Sequence, residues 1–325
     1  MPSLPRWMAC VTALLLCSGQ AWAQNFPSKP VTIIVGVAPG GTLDALARQI
    51  AIGLGPHLKQ TAIVENVVGA GGLVGFQRLT KSEADGHTLM FSNPSMELIP
   101  LLYPSANINA VTDVTPVTQV GTVPMVFGVS LRSGIGDLPS LLERMRKGGF
   151  KPNLGSGGPG TTAHLAEALF LQLSKGTGEL VQYRGSGPAI ADLIAGTIDG
   201  VIDQTVTILP LHQSQRVKAI AIAAPRRLAQ MPDIPTFAEG GLPEFDLMIW
   251  NGFFAPKGTT RAVVNALSEA ISKVLDSPEY KTRMDQMAAQ IPPPAERGPD
   301  VFAKIVQADQ TRYAALAQAV GLQAR

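Results

Sequence analysis

The stretch VTIIVGVAPGGTLDALARQIAIGLG, residues 31–55, changes its periodicity halfway. Residues 31–37 form an apolar, β-branched run that reads as a buried strand. Ala38-Pro39-Gly40-Gly41 stops it, and Thr42-Leu43-Asp44 opens a helical pattern reaching residue 53. Glycines there let backbone N–H groups be approached closely, and the first N–H groups of a helix lack intrahelical partners, so the place suits an anion. The plainer reading is a turn and a cap, because Thr42 is an ordinary N-cap residue and Asp44 is favoured by the helix dipole without any ligand.

The same arrangement of strand, loop of Gly with Ser or Thr, and helix start recurs at residues 69–72, 156–162 and 185–188. One such loop is a turn. Several of them, shared between lobes whose strands point their C-terminal ends at one crevice, make a cleft lined with N–H groups.

The rest of the chain alternates strand and helix patterns, which predicts an α/β fold with largely parallel sheet. A first series has strands at 31–37, 61–65 and 87–91 and helices at 42–53 and 69–80. A second begins near Val123, with strands at 125–129, 153–154, 180–183, 198–203 and 217–223 and helices at 138–146, about 162–173 and 188–195. An apolar run at 247–254 follows a Pro/Gly-rich stretch, and helical patterns at 261–275, 278–289 and 301–320 close the chain. Two series, with a helical tail long enough to return to the first, predict two lobes joined by crossings near 122–125 and 249–252. The expected division is 24–123 plus 250–325 for lobe 1 and 124–249 for lobe 2.

Residues 1–23 read as a secretory signal peptide: Arg6, an apolar run from Trp7 to Cys17 too short to span a bilayer, and Ala21-Trp22-Ala23 as a small-x-small cleavage site. Cleavage removes Cys10 and Cys17, so the exported chain has no thiol and must rest on its core. It also removes Arg6 from 26 basic residues, leaving 25 against 24 acidic ones. No basic field invites nucleic acid or anionic lipid. The expected location is the periplasm.

Chemistry finds little footing. Gly155, Gly157 and Gly160 satisfy G-x-G-x-x-G, but the strand before them is short and holds Pro152, and Pro159 stiffens the loop. No phosphate-binding G-x-x-x-x-G-K-[ST] and no G-x-S-x-G elbow occurs. The four histidines offer no nucleophile-base pair, and metal-ligand spacings are missing. No cofactor is expected, and no enzyme.

The segments FPSKPVTIIVGVAPGGTLDALAR, VENVVGAGGLVGFQRL, ADGHTLMFSNPS, GSGGPGTTAHLAEALF and VQYRGSGPAIADLIAGTIDGVID, together with residues 226–259, resemble in that order the Bug-type periplasmic receptors of tripartite tricarboxylate transporters. The likeness runs from about Phe26 to Gly321. It implies a two-lobed type II (flytrap) periplasmic binding protein that hands a small carboxylate to a membrane permease. Carried over by position, Gly40, Gly41, Thr42 and Asp44 form a first carboxylate clamp and Ser156, Gly157, Gly158 and Thr161 a second. Ser92, Arg184 and Asp203 stand in loops at the same mouth. Gly36-Val37-Ala38 departs from the family's usual Pro and aromatic, and His87 replaces a common Tyr.

Asp44 beside neutral donors is expected to repel a bare polyanion and to favour a ligand that also carries an ammonium or amide. The expected ligands are therefore a small carboxylate or its amide: an amino acid, a nicotinate-like acid or a dicarboxylate. The expected partners are permease subunits, and the expected state is a monomer. A sensing subunit on the same fold and, behind it, a periplasmic hydrolase are the alternative readings.

Overall fold

The computed structural model describes residues 26–322. The expected leader, with Cys10 and Cys17, lies outside the described residues. The first lobe is built on β1 (Val31–Val35), β2 (Ala62–Asn66) and β3 (Thr88–Ser92), which are parallel in the order β2-β1-β3. Between them run α1 (Thr42–Leu58), α2 (Leu73–Thr80) and, after β3, α3 (Ser95–Leu102). Val31, Ile33 and Val35 point to one face of the sheet, where Leu46, Ile50 and Leu54 of α1 bury against them. At about 1.5–3 kcal/mol for each large side chain removed from water, this face fixes the lobe.

The two lobes share their longest strand. β4 (Val114–Val129) pairs antiparallel with β9 (Met248–Pro256) along its first part, then with β7 (Gly200–Gln204) and β8 (Lys218–Ile222) along its second. The sequence places only residues 125–129 in a strand here. Pro116 and Pro124, which donate no ladder hydrogen bond, interrupt the pattern, and register shifts between Pro116 and Thr118 and between Gln119 and Gly121 absorb the irregularity. Thr122 faces Trp250 and Val123 faces Ile249, so the two crossings lie side by side as a paired ribbon.

The second lobe continues with α4 (Leu138–Arg146), β5 (Asn153–Ser156), α5 (Thr162–Ser174), β6 (Glu179–Gln182) and α6 (Ser186–Ala195), with β5 parallel to both β6 and β7. α7 (Thr205–Gln213) follows β7, and α8 (Arg261–Asp276), α9 (Pro278–Gln286) and α10 (Pro299–Ala319) end the chain. The fold is thus a two-lobed α/β flytrap with two hinge crossings. Helices α3 and α7 are absent from the sequence reading because each holds an interior proline, Pro100 or Pro210, where a pattern-based reading stops. α10 serves both lobes: Phe302 and Val306 pack with Ile34 and Phe254, while Tyr313 and Ala317 join Phe127, Leu165 and Phe170.

Candidate functional site

The first turns of helices from both lobes converge on one small cavity at the junction. α1 contributes Gly41, Thr42 and Leu43, α3 contributes Ser95, α5 contributes Thr162 and Ala163, α6 contributes Ser186, and Gln204 caps α7. Each strand hands over to its helix at the C-terminal end of the sheet, where unpaired N–H groups collect and the helix dipoles are positive. The cavity encloses about 30 Å³, above the roughly 10–15 Å³ that a single water needs and far below the size of an organic acid. Its lining holds no Lys, Arg or His and a single acid, Asp203. A larger depression of about 690 Å³ beside α1 and edge strand β2 gathers no such helix starts.

The lobes are closed around this cavity. Ala38 donates its N–H to the Arg184 carbonyl at 3.0 Å, and Asn93 Nδ2 donates to Thr162 Oγ1 at 3.4 Å. At Gly187 a Cβ would lie 2.1 Å from the Pro39 carbonyl oxygen, and at Gly71 it would lie 2.1 Å from that of Pro159. Only glycine permits these backbones to touch. Nothing much larger than water fits this cavity while the lobes are in contact.

The residues singled out in the sequence divide among three places. Gly41, Thr42, Thr161 and Asp203 line the cavity. Thr42 Oγ1 is buried there without a hydrogen-bond partner. Gly157, Gly158 and Arg184 instead line an outer space of about 460 Å³ between Gly69–Gly71 and Tyr183. Gly40, Asp44, Ser92 and Ser156 line neither and support the loops. Ser156 Oγ accepts the Gly158 N–H at 3.3 Å, and Thr161 Oγ1 donates to the Gly158 carbonyl at 2.8 Å while capping α5 through His164 N. Ser92, 2% exposed, turns its hydroxyl toward the Asn93 carbonyl at 3.5 Å.

Asp44 does not face the cavity as a bare charge. Its carboxylate accepts from Gly40 N at 3.1 Å, from Arg48 Nε at 3.0 and 3.1 Å, and from Asn66 Nδ2 at 3.0 Å. Burial pushes its carboxyl up, but the hydrogen bonds from Arg48, Gly40 and Asn66 outweigh this and hold it below the ordinary value. Arg48 neutralises it, which removes the electrostatic reason for requiring an ammonium or amide on the ligand.

Asp203 is the opposite case. It is 3% exposed, and burial raises its carboxyl despite hydrogen bonds from Gln204 N, Ser186 and Thr207. Behind it Glu167, fully buried on α5, is raised well above the ordinary value by burial, against an opposing bond from Ile202 N–H at 3.3 Å. The cavity members that the sequence reading missed, Asn93, Ser95, Thr162, Ser186 and Gln204, stand next to the residues it chose. Helix starts were legible there, but their convergence depends on contacts between residues far apart in the chain, as between Asn93 and Thr162 or between Ala38 and Arg184.

Among the described residues no group of three potential metal ligands gathers, and no helix is long and apolar enough to cross a membrane. The periplasmic binding protein BugD superposes with a TM-score of 0.88 at 29% identity, over 92% of this chain and all of BugD. MatC from Rhodopseudomonas palustris, solved with bound malate, is 32% identical over 91% of this chain and all of its own, with a TM-score of 0.85. An R. palustris protein solved with adipate is 26% identical over 93% of this chain and all of its own, with a TM-score of 0.87. A model of the TctC family, the tripartite tricarboxylate transporter family receptors, matches residues 46–322. With that match over most of its length, the chain belongs to this family of solute-binding receptors.

Proposed function

We propose that the protein captures a small carboxylate between its lobes in the periplasm and delivers it, unchanged, to the permease of a tripartite transporter. The observation that carries this reading is the convergence of helix starts from both lobes on a closed cavity with no cationic side chain. Neutral N–H donors hold a carboxylate without a fixed cation having to be stripped of water, and the donors from one lobe alone leave half the anion unsatisfied. A carboxylate of several carbons needs the lobes set somewhat wider than in this water-sized cavity, and it favours the state in which both lobes touch it by its differential contacts with that state.

The relatives solved with malate and adipate support a carboxylate of few carbons. With Asp44 neutralised by Arg48, an amide or amino group on the ligand is no longer needed. The lobe division at 24–123 plus 250–325 and 124–249, export after residue 23, and action as a monomer belong to the same reading. The Gly40–Thr42 turn and the Thr161 helix start form the two jaws, with Asp203 on the inner wall.

Titration calorimetry of the mature protein against malate, succinate, adipate, nicotinate and glutamate tests the proposal. Binding of at least one carboxylate is expected, with recovery of the ligand unaltered and a smaller radius of gyration if the free protein opens. Failure of every carboxylate to bind, or chemical conversion of one, overturns it.

A further inference from the structure

The outer edge of the first lobe's sheet is unpaired. β2 ends the strand order β2-β1-β3, and among the described residues no strand lies beyond it. Val31 N donates to the Thr61 carbonyl at 2.9 Å and Val67 N to the Val35 carbonyl at 2.8 Å, so the odd-numbered residues here turn their backbone groups toward β1. Strand geometry alternates, and Ala62 and Val64 therefore turn their N–H and C=O groups to the open side. Natural edge strands are usually blunted by a lysine, a proline or a bulge. Ala62–Asn66 has none of these, and its one charged residue, Glu65, is tied to Arg78.

Large apolar side chains collect at the same edge. Five are exposed among the described residues, and four of them belong to this edge and its flanking helices: Ile52 on α1, Ile63 on β2, Val68 just after it and Val74 at the start of α2. An apolar patch beside an unpaired strand is what a soluble protein avoids unless something covers it.

The depression of about 690 Å³ between α1 and β2 says what kind of partner fits. Ala62 and Val64 line it from the strand and Ile52 from the helix, and its charged lining residues are Arg48 and Lys59, with no acid. Arg48 stands half exposed in front of Asp44, whose side chain is buried, so the charge that meets solvent is positive. A second copy fits poorly. Two β2 edges joined antiparallel about a two-fold axis would bring both α1 helices to one face of the joined sheet, Arg48 and Lys59 toward their own counterparts. Like charges across that seam repel, whereas an extended segment carrying acids beside apolar residues is complementary.

We propose that the β2 edge and the groove between α1 and β2 are the docking surface for an extended, acidic and apolar segment of the transporter's permease, which adds to the sheet as a further strand. The inference rests on the delivery reading above and names the face of the receptor that the permease holds. The groove shares no lining residue with the interlobe cavity, so docking and ligand capture do not compete for side chains.

Two probes test it. The capped peptide Glu-Val-Thr-Val-Glu-Val, added to the mature receptor in the millimolar range, should slow amide exchange at Ala62 and Val64, while Ile63 and Glu65, already bonded to β1, stay slow throughout. The same peptide with lysine in place of glutamate should bind several-fold more weakly. The permease, purified in nanodiscs, should bind wild type, and Ile52→Glu and Ile63→Glu should each weaken that binding about tenfold or more. Leu131→Glu, the same change at an exposed apolar residue of the second lobe, should stay within about twofold. Ile52 is 75% exposed, so its variant keeps the test open should Ile63→Glu fold poorly.

Equal permease binding by wild type and the β2-edge variants, or peptide protection that is missing or lies away from β2, overturns the inference and leaves the receptor reading standing. Wild type that does not bind the permease defeats the delivery reading and the assigned partner with it. Self-association of wild type that Ile63→Glu abolishes would make the occupant a second copy, which also overturns the inference.

Discussion

Helices α1 and α3 start at the same cavity and carry an acid at the same place, the third residue of the helix, yet the two acids live in opposite electrostatic worlds. Asp44 is 6% exposed and receives Arg48, Asn66 and the Gly40 N–H, so its carboxyl sits below the ordinary value. Glu97 is 2% exposed, and neither of its oxygens has a hydrogen-bond partner among the described residues. Burial, with Asp309 of α10 adding repulsion, pushes its carboxyl up to about 8. The helix dipole favours both ionised acids by up to about 2 kcal/mol in a buried setting, and it decides neither. What decides is whether the fold supplies partners.

The largest test of this contrast is Glu97→Gln. A folded-state value raised from 4.5 to about 8 means that the folded protein holds a proton the unfolded chain releases. Stability from this group is present below the ordinary carboxylate value and falls as pH rises through about 8. At about 1.4 kcal/mol per pH unit, the slope amounts to roughly 4–5 kcal/mol. Urea unfolding at pH 5 and pH 8.5 should find the glutamine variant near wild type at the lower pH and several kcal/mol more stable relative to it at the higher. A difference that does not grow with pH would show that Glu97 finds a partner after all. Asp309, which adds to the Glu97 shift, is itself raised by burial, against the Trp250 indole N–H that it accepts at 2.6 Å and the nearby Arg312.

Asp44→Asn should give a smaller effect with the opposite pH sign. Losing a carboxylate that ties Gly40, Arg48 and Asn66 together should cost about 1–3 kcal/mol near neutral pH, where a dipole contribution alone at an exposed site costs a few tenths. Because its folded-state value is lowered, that stability is present above the ordinary carboxylate range and is lost as pH falls through the lower folded value. Unfolding at pH 6 and pH 3 should therefore find the gap between wild type and variant closing at low pH. A gap that widens there would contradict the partners assigned to Asp44.

How much of this was legible follows the range of each interaction. The switch of periodicity at residues 38–42 announced β1 and α1, because strand and helix patterns differ within a dozen residues. The spacing of Asp44 and Arg48, four apart on one helix, was equally open to reading as an ion pair, and taking Asp44 alone led to the expectation of an ammonium-bearing ligand. Asn66, 22 residues away, carries no such signal. The prolines at 100, 116 and 210 hid α3, half of β4 and α7, since a single chain does not say whether a proline ends an element or is absorbed by it. The hydrogen bond from Asn251 Nδ2 to Gln204 Oε1, 47 residues away, exists only through the closure of β4 on β7 and β9.

The smallest effect concerns Arg48, whose removal turns Asp44 partway toward the condition of Glu97. Arg48 is half exposed at 49%, so its ion pair is screened and Arg48→Gln should cost only about 0.5–1 kcal/mol of stability. Asp44 keeps Gly40 and Asn66, which hold the loop in place. The charge balance nevertheless changes beside the cavity, because residues 41–43 line it and Asp44 follows them directly. An unmasked carboxylate there repels an incoming anion through a medium between protein and water, for about 0.5–1 kcal/mol, or roughly two- to fivefold in affinity. That loss should appear at low ionic strength and fade near 0.5 M salt, where screening falls below ~5 Å. An affinity that is unchanged at low salt would mean that Arg48 serves the loop alone, and that the ligand site is blind to the sign of the charge behind α1.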